Sequence, residues 1–198
     1  MKKLLTLCMA LFCCFVVVGC QSSSKDDAKQ DQETGTVNGT DAEFASATEL
    51  LTAIWDTYEE GDRFAAMGGD FNHIVENAPG NFDVADVESL TSVLVLPQEL
   101  ATQVDDAASL VHAMNANTFT SGAFHVSDAK NVENFITVYK DAILNNQWMC
   151  GFPEKLYIFQ IKENYVVSVF GNGELMKLYE EKLTNVFPSA QLVVEESF

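Results

Sequence analysis

Cysteine and histidine carry most of the chemistry this chain has to offer. Five cysteines stand at 8, 13, 14, 20 and 150, and three histidines at 73, 112 and 125. A zinc site on a helix wants two histidines at i, i+4, and His73, His112 and His125 have no such spacing. Cys150 lies in "QWMCGFPEKL"; a C-x-x-C redox pair would need a second cysteine where Pro153 stands. A Cys–His nucleophile pair requires one of the three histidines to fold beside Cys150. Free cysteine is among the most buried residue types. With Trp148, Met149 and Phe152 around it, Cys150 is expected to be a packing residue; a thiol-dependent enzyme or redox accessory using Cys150 is the alternative. There is no G-x-S-x-G turn for a serine nucleophile. Gly171-Asn172-Gly173 ahead of a helix has the form of an anion site, but Glu174 would oppose the anion, so a plain strand-to-helix turn is expected. No catalytic, cofactor-binding or metal-ligating residue is assigned.

The remaining reactive position is Cys20. Met1-Lys2-Lys3 is a basic start, and Leu4 to Val18 carries no charge. That run is shorter than the roughly 20 residues a membrane-spanning helix needs and suits the apolar region of a signal peptide. Val17-Val18-Gly19-Cys20 resembles a bacterial lipobox. The resemblance implies a signal peptide over 1–19, cleavage before Cys20, and a lipid anchor of palmitate-type chains on Cys20. The protein would then be held at the cell membrane on its extracytoplasmic face, within the cell envelope. Two acyl chains anchor far more firmly than one. Processing removes Cys8, Cys13 and Cys14 and acylates Cys20, leaving Cys150 without a disulfide partner.

Charge narrows the partners. The chain has 11 basic and 29 acidic residues, a formal −18; losing Lys2 and Lys3 takes it to −20. Such a surface repels nucleic acid, whose affinity rests on Lys and Arg, and lies poorly on anionic lipid. No loop alternates Asp and Asn ahead of a distant Glu as a calcium hand does.

Residues 20–45 are polar and read as a flexible tether, and 46–198 as a single globular domain. Ser46-Ala47-Thr48-Glu49 is a capping-box pattern ahead of Leu51, Ile54, Trp55 and Tyr58 at helical spacing, with Gly61 as a C-terminal stop. The stretch from Asp62 to Leu90 mixes Gly, Pro and Asn and reads as loops. A strand or short helix is expected near Ser92–Leu96, and Leu100, Val104, Ala107, Ala108, Val111 and Met114 predict a second helix. From 116 to 198 the pattern becomes strand (118–126), helix (Val132 to Ile143), hairpin ("LYIFQI", "YVVSVF"), helix (Leu175 to Val186) and final strand ("AQLVVEES"). That is the β-α-β-β-α-β order of a ferredoxin-like unit in an α+β domain with an antiparallel sheet. Right-handed crossovers are expected to put both of its helices on one face.

"HAMNANTFTSGAFHV", "NQWMCGFPEKL" and "NYVVSVFGNGE" resemble an uncharacterised domain-of-unknown-function lipoprotein family of Gram-positive anaerobes, some members of which carry a bacteriocin-transport-accessory label. The resemblance implies no catalytic residue. The function expected is a membrane-anchored, non-catalytic binding or accessory module with an envelope protein or peptide as partner, and no cofactor.

Overall fold

A computed structural model describes residues 39–114 and 117–198. The expected signal peptide, Cys20 and the expected tether up to residue 38 lie outside the described residues. Helix α1 (Ala47–Trp55) opens on Ser46, whose hydroxyl accepts from the Glu49 amide at 3.2 Å. Glu49 accepts in turn from the Ala45 amide at 2.7 Å, one residue upstream of the usual box. The helix stops at Asp56, before Gly61. The packed chain starts ahead of this cap. Phe44 is buried edge-on against Tyr165 and Phe187, and Asp41 accepts from the Ser189 amide at 2.9 Å. Residues 41–45, assigned above to the tether, therefore belong to the folded body. One aromatic in a polar run has no periodicity to reveal it.

The segment read as loops contains three short strands, β1 (Ala66–Gly68), β2 (Val75–Glu76) and β3 (Gly80–Phe82). Gly68 and Gly80 cross so closely that a Cβ on Gly68 would lie 2.2 Å from the Gly80 nitrogen. Helix α2 (Val87–Leu94) and the short α3 (Gln98–Ala101) follow. The predicted helix through Val104–Met114 is instead strand β4 (Val104–His112). A bulge at Asp105 gives β4 its local bend, and the successive aspartates at the bulge take different partners. Asp105 pairs with His125, while Asp106 accepts from the Ala47 amide at 2.6 Å.

Strand β5 (Thr120–Val126), helix α4 (Val132–Leu144), strands β6 (Lys155–Ile161) and β7 (Tyr165–Gly171), helix α5 (Gly173–Val186) and strand β8 (Gln191–Ser197) complete the α+β fold in the order read from sequence. Among the described residues, eight strands form one antiparallel sheet in the order β2-β1-β4-β5-β7-β6-β8, with β3 also on β4. Strand β7 lies between β5 and β6, so β5-α4-β6 is a split βαβ unit. Strand β8 sits beyond β6, and the free edge of β5 is taken by β4.

That placement decides where the helices go. Both crossovers travel the same way across the sheet, yet they start from antiparallel strands. A right-handed path then sends α4 and α5 to opposite faces; sharing a face would require β8 beside β5. The expectation of one common face is corrected accordingly. Tyr179, Leu183 and Met176 of α5 join α1 in packing on Tyr157, Phe159, Val167 and Val169. Phe135, Tyr139 and Ile143 of α4 join α2 on Phe124, Ile158, Val166 and Phe170. Each layer is pinned by a buried tyrosine. Tyr179 and Ser121 hydroxyls meet at 2.7 Å on one face. On the other, Tyr139 donates to the Leu94 carbonyl at 2.5 Å and accepts from Ser168 at 3.0 Å.

Candidate functional site

At one end of the sheet an open cleft of about 530 Å³ is walled by α2, the β4–β5 hairpin end, the loop after β1 and residues 146–150. Each wall has a local cause. Val95 turns into the left-handed region (φ 58°) and ends α2, with the Thr91 hydroxyl donating to the Leu96 carbonyl at 3.0 Å. After α4, the Asn145 side chain donates to the Asp141 carbonyl at 2.7 Å. Trp148 then seats its ring 5.2 Å from Phe170 and 6.0 Å from Phe198. The indole anchors the segment, and Met149, Cys150 and Phe152 are left outside.

The loop after β1 is organised by Asp70, whose side chain is 1% exposed. Its carboxylate accepts from the amides of Asn72 at 2.8 Å, His73 at 2.9 Å and Asp83 at 3.0 Å, and meets His73 Nδ1 at 3.1 Å. Burial alone would raise this carboxyl, but the hydrogen bonds outweigh it and hold Asp70 below the ordinary aspartate range. The loop presents Phe71 and Ile74, 62% and 59% exposed, outward.

The structure disperses the three histidines. His73 is bound to Asp70 and largely solvated. His112, expected on a helix, is on β4, stacked on Phe64 with centroids 5.0 Å apart and planes 7° off parallel. Its Nδ1 accepts from the Met114 amide at 3.0 Å, which places the proton of the neutral ring on Nε2. Desolvation lowers its pKa, so the ring is neutral at pH 7. His125 bridges Asp105, 2.5 Å from Nδ1, and Asn164, 2.6 Å from Nε2. With both ring nitrogens engaged it ties β5 to the bulge and to the β6–β7 turn.

Cys150 is exposed, against the expectation that it packs in the interior. Met149 and Phe152 beside it are 91% and 74% exposed. Only Trp148 of the apolar group turns inward, and one anchor was enough to seat the segment. Cys150 and His112 line the same cleft; His73 and His125 do not. The anion position ahead of α5 is filled from within: Asn172 caps the helix by accepting from Glu174, and Glu154 accepts from the Gly173 amide at 2.9 Å. Among the described residues no three His, Cys, Asp or Glu side chains come together as metal ligands.

What the cleft offers is uncharged. None of its lining residues is Asp, Glu, Lys or Arg, although these make up 20% of the chain. Hydroxyl and amide side chains (Thr118, Thr120, Asn146, Gln147) share it with Met67, Phe71 and Phe170. Phe71 and Met149 at its edge, with Ile74, Met114 and Phe152 from the same segments, are most of the large apolar side chains left in water among the described residues. The sequence signal for this was weak: solitary Phe and Met in Gly- and Asn-rich stretches, without periodicity. Such a surface can hold an uncharged or apolar group by desolvation and hydrogen bonds.

No family model, curated protein or solved structure matches this chain.

Proposed function

We propose that this chain is a non-catalytic binding module, held at the extracytoplasmic face of the cell membrane by lipid on Cys20, which captures an envelope protein or peptide in the cleft at the end of its sheet. The observation that carries the reading is the charge-free cleft edged by exposed Phe71 and Met149 on an otherwise acidic protein. Apolar side chains gathered at one concavity mark interaction sites rather than scattered surface residues. The lipobox-like Val17-Val18-Gly19-Cys20 supports the anchor, and no described helix is long and apolar enough to cross a membrane. Two experiments test the parts separately. Metabolic labelling with palmitate should mark the wild type and not Cys20→Ala. A photo-crosslinking residue at Met149 should capture one defined partner in intact envelopes, while the same residue at Glu133 on the α4 surface should capture none. Equal capture from both positions would remove the cleft from the proposal.

A second reading has a specific observation behind it. Cys150 is exposed and shares the cleft with His112, so thiol chemistry there is the alternative. Cys150→Ser separates the two: a binding module keeps its crosslinked partner, and a thiol enzyme loses its activity.

A further inference from the structure

We infer that the occupant of the cleft is a cationic peptide segment carrying an apolar anchor, an inference that rests on the binding reading above. The segments framing the cleft are 64–76, 87–96, 109–120 and 144–154. They contain Asp70, Glu76, Glu88 and Glu154 and not one Lys or Arg. Asp70 is consumed by its own loop. Glu76 and Glu88 are exposed. Glu76 faces Met67 directly across the β1–β2 pair, and Met67 lines the cleft. Glu88 lies one turn before Ser92 on α2, its carbonyl accepting from the Ser92 hydroxyl at 2.7 Å, and Ser92 also lines the cleft. Glu154 is engaged by the Gly173 amide, so a neutral interior has two exposed carboxylates at its border, Glu76 and Glu88, while the adjoining basic residues Arg63 and Lys155 pair with Asp56 and Glu195.

Each alternative occupant meets an obstacle here. A second copy would bring another strongly acidic surface to the same border, and like charges facing each other across an interface repel. Nucleic acid and anionic lipid headgroups face the same repulsion. A peptide with Lys or Arg on either side of an apolar side chain meets complementary charge at the border and uncharged apolar surface within. Asn146 and Gln147 supply amides that pair with a main chain. Met67 and Met149 in the lining adapt their shape to different apolar side chains. The border carboxylates would act chiefly on approach, raising the association rate in a salt-sensitive way.

The test uses the chain purified from membranes and held in phosphatidylcholine nanodiscs, whose lipid is neutral overall. Three fluorescent peptides are titrated: a Leu-Phe-Leu centre flanked by lysines, the same centre flanked by glutamates, and a Ser-Gly-Ser centre flanked by lysines. We expect the first to bind at least about tenfold tighter than either other, with the advantage over the glutamate peptide shrinking as salt rises. It should also slow maleimide labelling of Cys150, which reports occupancy of the cleft itself. Glu76→Gln with Glu88→Gln should narrow the gap between the lysine and glutamate peptides, and Met149→Ser with Phe71→Ser should weaken the Leu-Phe-Leu centre. Equal binding of the Ser-Gly-Ser peptide, equal binding of the glutamate peptide, or tight binding that leaves Cys150 labelling unchanged would each overturn the inference. A partner captured at Met149 through an acidic or purely apolar segment would also overturn it, and would leave the binding module standing.

Discussion

Cys150 shows how far the company a residue keeps in sequence can mislead. Its neighbours are large and apolar, which argues for burial, yet burial of the segment is discharged by the Trp148 ring on Phe170. We expect Cys150→Ser to change stability by no more than about 0.5 kcal/mol, as an exposed substitution does, and native Cys150 to alkylate without unfolding. Thermal melts and maleimide kinetics on the folded chain check both; slow labelling with a destabilised serine variant would return Cys150 to the core. Asp70 is the opposite case, an ordinary-looking loop aspartate that proves to be buried. Asp70→Asn turns an amide group towards backbone donors and should cost about 2 kcal/mol. The sign of its pH dependence follows from the lowered folded pKa. Its contribution is present above the unfolded value of 3.8 and is lost as pH falls through the lower folded value. Urea unfolding should therefore separate wild type from Asp70→Asn widely at pH 7 and much less at pH 2.

Helices α1, α4 and α5 were legible from one helical periodicity each, and strands β5 to β8 from runs of β-branched and aromatic residues bounded by turn residues. Strand β4 was not. Ala107, Ala108 and Leu110 are all buried, because helices cover both faces of the sheet there, and a strand buried on both faces shows no alternation. Its alanines favour helix by propensity, and the bulge at Asp105 shifts the pattern by one more residue. Missing β4 had a further effect. With the free edge of β5 apparently vacant, β8 had an obvious place beside it, and both helices followed to one face. The cleft was illegible for a related reason, since it draws on four segments that only the completed sheet brings together. The tyrosines that fix the helical layers allow a direct comparison. Tyr139→Phe strands the Leu94 carbonyl and the Ser168 hydroxyl, whereas Tyr179→Phe strands only Ser121. We expect both to destabilise by about 1–3 kcal/mol, Tyr139→Phe the more, and Ser121→Ala to recover part of the loss in Tyr179→Phe. A neutral Tyr139→Phe in chemical denaturation would mean that the α4 layer is held by apolar packing alone.

The whole body depends on chain upstream of its first helix. Phe44 packs on Tyr165 and Phe187, with the Lys162 ammonium 3.8 Å over its ring. Phe44→Ala should cost about 3 kcal/mol, and a chain beginning at Ala45 should melt well below one beginning at Gly39. Equal melting temperatures would place the boundary after Phe44.

An antiparallel sheet covered on both faces also keeps time unevenly. Strands β5 and β7 have a neighbour on each edge and side chains buried towards both helical layers. Among the described residues, strand β8 pairs with β6 alone and is exposed along nearly its whole length. In deuterated water the amides of β5 and β7 should exchange only when the entire molecule opens, while those of β8 exchange through small local openings. The slow set then reads the global unfolding free energy residue by residue. A peptide seated in the cleft, which touches Thr120 and Phe170, should slow that set and leave the β8 amides as quick as before.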